Sequence, residues 1–150
     1  MLLFASSVFV CCGDDETDID IKENTSKNED TKIIKTETFT GKIEVENGFE
    51  KENVTVLTTY FDNKTMTLEI KGARFSDQMP IAVDMQWKDF SYTGDDYGTA
   101  FELDSIVPYA MGGFMEAFTC YNVKGISDEE SIHFSFHCYG YDAQYNGLKQ

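Results

Sequence analysis

From Lys32 onward, large apolar residues recur at every second position, and this period is what most constrains the fold. Phe39, Gly41, Ile43 and Val45 alternate with Thr40, Lys42, Glu44 and Glu46. A period of two puts each set on its own side of an extended chain, giving one apolar and one wet face. Asn47-Gly48 follows, a strong hairpin signal because both residue types tolerate positive φ. Val54, Val56, Thr58 and Tyr60 make a second strand, closed by Asp62-Asn63-Lys64. Met66, Leu68 and Ile70 make a third. Ile81, Val83, Met85 and Trp87 make a fourth, with Asp84, Gln86 and Lys88 outward. Asp95, Asp96 and Gly98 mark a turn before Phe101 and Leu103. Pro108 and Gly112-Gly113 punctuate a less regular stretch. Two late strands, Phe114 to Val123 and Ile132 to Cys138, flank an acidic turn at Asp128-Glu129-Glu130.

No stripe at helical spacing is sustained after Lys32, so helix should be scarce. An aromatic share of 14% and only two prolines agree with strands. Short strands at regular spacing imply a closed or a layered sheet. The expected fold is all-β: a small antiparallel up-and-down β-barrel of about eight strands, with a β-sandwich as the alternative. Closure would remove the edges that invite aggregation. An eight-stranded barrel is just wide enough to be filled by side chains or to hold one small ligand. The bulky inward Phe, Met, Tyr and Trp residues predict a filled or shallow interior.

The front of the chain reads differently. Residues 1–10, MLLFASSVFV, are uncharged and apolar and stop at Cys11-Cys12-Gly13-Asp14. The run is about half the ~20 residues needed to cross a bilayer as a helix. It matches the apolar core of a secretory signal and resembles a bacterial lipoprotein signal, with Cys12 as the acylated residue. Residues 13–32 hold eight acids against three lysines and no aromatic residue. Such a stretch buries too little surface to offset its ordering entropy, so it reads as an acidic disordered tether. The expected organisation is a signal peptide over 1–11, a tether over 12–32 and a folded domain over 33–150. Acids directly after the acylated Cys resemble a surface-export signal. The implied location is the outer membrane, surface-exposed or otherwise facing the periplasm.

A family resemblance covers about residues 36–140. The order Thr-Phe-Thr-Gly-Lys-Ile-Glu-Val (38–45), Glu-Asn-Val-Thr-Val (52–56), Met-Thr-Leu-Glu-Ile (66–70) and Met-Pro-Ile-Ala-Val (79–83) carries it. Val-Lys-Gly (123–125) and Ile-His-Phe-Ser-Phe (132–136) continue it. The chain resembles the calycin-like β-barrel domain of Bacteroidetes lipoproteins. The resemblance implies an antiparallel barrel with a mouth at one end. The Gly-x-Trp of lipocalins is absent, since the single Trp87 follows Gln86.

Charge narrows the function. Twenty-seven acids against twelve bases give a net charge of −15, and nucleic-acid binding, which needs a basic stripe, is excluded. His133 and His137 share a strand face about 13 Å apart, too far for one metal, and read as polar-face histidines. No metal site or cofactor is expected. Ser135, His137 and Asp142 supply the residue types of a hydrolase triad, but no nucleophile turn accompanies them. No catalytic residues are therefore assigned. Asp95-Asp96 and Asp128-Glu129-Glu130 read as charged turns. Cys120 and Cys138 face each other if their hairpin is centred at residue 129, and an exported domain favours oxidation. Matching the apolar positions demands a different register, which only a bulge reconciles. A disulfide and two buried thiols both stay open. Trp87, Tyr97, Tyr109, Phe114, Tyr139 and Tyr141 are candidate ligand-contact aromatics. The expected function is that of a lipid-anchored, non-enzymatic envelope protein binding a small apolar or glycan ligand at the barrel rim. The alternative is an interaction, inhibitor or accessory module with a filled barrel and an envelope-protein partner.

Overall fold

The computed structural model describes residues 31–95 and 97–150. The signal, Cys12 and nearly all of the tether lie outside the described residues. From Ile33 the chain is antiparallel β-structure, and the only helical element described is a 3₁₀ turn at Glu116–Phe118.

Eight strands are long: β1 (Ile33–Val45), β2 (Glu50–Phe61), β3 (Thr65–Ala73), β4 (Val83–Ser91), β6 (Gly98–Ile106), β9 (Cys120–Asp128), β10 (Ser131–Cys138) and β11 (Tyr141–Lys149). Three two-residue strands join them: β5 (Thr93–Gly94), β7 (Tyr109–Ala110) and β8 (Gly113–Phe114). The count is thus eleven rather than about eight. The excess comes from the irregular stretch around Pro108 and from a single break at Tyr92. All eleven form one barrel-like sheet, in the order β5-β6-β9-β10-β11-β1-β2-β3-β4-β7-β8.

One end of that order, β5, is the direct continuation of β4. β4 pairs with β3, and after Tyr92 the same extended segment pairs with β6 through Thr93↔Ala100 and Gly94↔Thr99. The first and last long strands are neighbours as well. Ala143 to Lys149 of β11 pair with Phe39 to Val45 of β1. The buried carboxylate of Glu37 receives Lys149 Nζ at 2.5 Å and Lys35 Nζ at 3.5 Å.

The alternation read from β1, β2 and β3 survives in space. Phe39, Ile43, Val45, Val54, Val56, Tyr60, Met66, Leu68 and Ile70 all join one core. Trp87 sits at its centre, fully enclosed, with edge-to-face contacts to Phe134 (5.5 Å) and Phe136 (5.1 Å). Each buried aromatic or aliphatic side chain contributes about 1.5–3 kcal/mol, and each such ring pair about 0.5–1.5 kcal/mol more. The interior is filled by rings, and small residues make room for them. Gly125 lies opposite Phe101, whose ring would stand 2.2 Å from an added Cβ. At Gly41 an added Cβ would come within 1.8 Å of the Asn146 carbonyl oxygen. Glycine is needed there because the two backbones touch.

Three boundaries differ from the sequence reading. Ile81 precedes β4 and is exposed, because the strand begins at Val83. The long strand expected from Phe114 starts only at Cys120: β8 ends at Phe114 and the 3₁₀ turn follows. Tyr141–Lys149 is a full strand that the sequence reading had not separated. At Asn47-Gly48 the hairpin forms, but only Gly48 takes positive φ, with its N–H donating to the Val45 carbonyl.

Candidate functional site

With the interior occupied, polar chemistry lies on the outer wall. There the register stacks side chains into rows across adjacent strands. Glu102, Lys124 and Ser135 form one row over β6, β9 and β10; Ala100, Ile126 and His133 form the next. Beside them the two-residue β5–β6 ladder is all that joins β5 to β6. The rows and this seam together enclose a groove of about 610 Å³, within the ~300–1,000 Å³ typical of small-ligand sites.

The groove has two kinds of surface. Its apolar part is Ile126, Ala100, the backbone of Gly125 and the edges of Tyr92 and Phe101. Ile126 is 62% exposed although it stands on a strand face between charged neighbours. Its polar part is Ser91, Thr93, Ser135, His133 and the exposed ion pair of Lys124 and Glu102 at 3.4 Å. A pair this open adds little stability, so its charges are available to a ligand. His133 Nδ1 donates to Asn146 Oδ1 at 2.6 Å, which fixes the ring against β11. Such a surface offers apolar contact in the middle and hydrogen-bond donors and acceptors around it.

The six candidate aromatics do not converge on this groove. Trp87 is enclosed in the core and presents no surface. Tyr109 and Phe114 pack edge to face at 5.3 Å on the β7–β8 hairpin, with Lys88 Nζ 4.0 Å from the Tyr109 ring centre. Tyr139 stacks on Phe118 at 5.2 Å in the β10–β11 turn. Tyr141 is half-buried against the core, and Tyr97 stands 73% exposed on the β5–β6 turn. The concavity lies on the side wall, whereas the sequence reading looked to the rim. The readable signal was Ile126, an apolar residue out of phase on the wet face of Lys124 and Asp128.

Cys120 and Cys138 are both buried and both free, and both thiols donate to the Phe118 carbonyl, at 3.4 and 3.3 Å. The adjoining Cys138 sulfur, then burial, pushes the Cys120 thiol far above its ordinary range. The bulge required to oppose them exists. Tyr121 pairs with His137, but Lys124 pairs with Ser135, and Asn122 between them has φ 53°.

The acidic turns use their carboxylates on backbone. Asp128 Oδ1 accepts from the N–H groups of Glu130 (2.8 Å) and Ser131 (2.9 Å), which hold its pKa below the usual carboxylate value. Asp95 Oδ1 accepts from the N–H groups of Tyr97 and Gly98. Asp96 lies outside the described residues. His137 Nδ1 donates to Asp142 Oδ1 at 2.8 Å. Ser135 is opposite Gln144, one row away, rather than in line with that pair.

No protein-family model, curated protein or solved structure matches this chain.

Proposed function

We propose that the chain is a lipid-anchored, non-enzymatic cell-envelope protein whose folded domain binds a short glycan in the groove across β5, β6, β9 and β10. The supporting observation is the groove's mixed surface, centred on exposed Ile126 and framed by hydroxyls, His133 and the Lys124–Glu102 pair. Sugar rings have an apolar C–H face and a hydroxyl edge, and this surface suits both. A filled interior leaves the lipocalin manner of holding a ligand inside with no space. The eight long strands in meander order, with β4 running on into β5, support the reading as an up-and-down barrel. The calycin-like lipoprotein type is part of this proposal and rests on the sequence resemblance.

Calorimetry on the full chain with a panel of oligosaccharides and fatty acids tests the reading. An oligosaccharide should bind, and Ile126→Glu should weaken it at least about tenfold while leaving the melting temperature unchanged. Equal binding by Ile126→Glu, or no binding by any saccharide, overturns it. The anchor is tested separately: radiolabelled palmitate should enter the wild type and not Cys12→Ala.

A second reading, an interaction module, draws on the β7–β8 hairpin, where Met111 (64%) and Phe114 (65%) project as exposed apolar side chains. It predicts co-purification of an envelope protein, lost on Phe114→Ser, with no saccharide bound.

A further inference from the structure

At the end of the outer wall, one more cross-strand row brings Glu46 to a pair of side chains, His137 and Asp142, that lie more than ninety positions later in the chain. His137 of β10 is opposite Asp142 of β11, and Ala143 is opposite Val45, which brings Glu46 beside Asp142. One donor atom from each of Glu46, His137 and Asp142 lies within 4.8 Å of the others. Two turns fix the row. The β10–β11 hairpin closes through Tyr139 and Gly140, both at positive φ (55° and 84°), which is the tight two-residue type. Glu46 is held by a reciprocal pair of bonds: Asp142 N donates to Glu46 Oε2 at 2.6 Å, and Glu46 N donates to the Asp142 carbonyl at 2.9 Å.

A concavity of about 260 Å³ opens beside these carboxylates, walled by Glu44, Glu46, Asp142 and Gln144. It gives room for the water that completes a coordination shell. Its charge is one-sided. Lys42, two rows along the same face, is engaged by Glu44 at 2.9 Å and Glu50 at 3.6 Å rather than by Glu46 or Asp142.

We propose that Glu46, His137 and Asp142 form a binding site for a divalent transition-metal ion, zinc by donor type, with the adjoining concavity supplying an open fourth position. One imidazole nitrogen and two carboxylates suit this ion class better than calcium or magnesium, which take oxygen throughout. Ligand atoms about 2.1 Å from one zinc in a tetrahedron stand about 3.4 Å apart, so the three groups need only small rotations to converge. The ion replaces the Nδ1 proton that Asp142 now accepts, and the neutral ring carries its proton on Nε2 instead. The site is distinct from the groove of the proposed function and does not depend on it.

The test is zinc titration of the full chain, with Cys11→Ser and Cys12→Ser in every sample so that those thiols do not compete. One ion should bind, and the side-chain ¹⁵N resonances of His137 should shift while those of His133 stay in place. His137→Ala should weaken binding at least about tenfold, and Glu46→Gln and Asp142→Asn several-fold each. His133→Ala should bind as the parent does. The resonance shift needs no substitution, so a variant that fails to fold leaves the test intact. Equal movement of both histidines, an unchanged affinity in His137→Ala, or no binding overturns the site and leaves only diffuse attraction to an acidic protein.

Discussion

The two faces of β10 carry opposite physics on one strand. Its inner side chains, Ile132, Phe134, Phe136 and Cys138, are buried, and Phe134 and Phe136 touch Trp87. Its outer side chains, His133, Ser135 and His137, each belong to a polar row continued by β11, and the first two rows run on into β1. The inner face specifies the fold, its side chains packed ring against ring. The outer face carries the hydrogen-bonding groups and the three side chains of the proposed metal site. The proposed recognition sites therefore lie on the wall.

This contrast is open to attack from both sides. Trp87→Ala should be the most damaging change, costing about 3–5 kcal/mol in chemical denaturation because the rings around it cannot collapse fully. A loss below about 1 kcal/mol would mean that the interior is loosely filled. Gly41→Ala should cost about 1–3 kcal/mol, since the new methyl meets the backbone of Asn146 and Gly147 rather than a movable side chain. Thr58→Val should act in the opposite direction. Its hydroxyl is buried with no hydrogen-bond partner among the described residues, and the isosteric methyl should raise stability by about 1 kcal/mol. A destabilised valine variant would show that the hydroxyl is bonded after all.

The smallest effect belongs to the wet side. Asp128 has its pKa lowered by two backbone N–H donors, so its ionised form stabilises the β9–β10 turn above the ordinary Asp value near 4. That contribution is lost as pH falls through the lowered folded value. Asp128→Ala should therefore melt slightly below wild type at neutral pH, and the gap should close below about pH 4. A gap that does not shrink as pH falls below about 4 would assign the effect to packing.

Local periodicity made the inner face legible. Val54 to Tyr60 and Met66 to Ile70 alternate without interruption, and every inward position they mark is buried. Legibility failed where a bulge breaks the period. Val123 follows Cys120 by three positions and Phe90 follows Trp87 by three, with Asn122 and Asp89 at positive φ between them. Candidate sites were harder still. Glu46 and Asp142 are 96 positions apart, and only the pairing of the first long strand with the last brings them together. Counting aromatics misled for a related reason: Trp87 is large enough to plug a barrel and is used for that.

The break at Tyr92 has a mechanical consequence. The segment that leaves β3 joins β6 through two residue pairs, while the groove lies across that same joint. The amide protons of Thr93 and Ala100 should therefore be among the earliest in the wall to trade with deuterium. A guest seated in the proposed groove would act as a clasp, fastening this two-pair joint against unzipping.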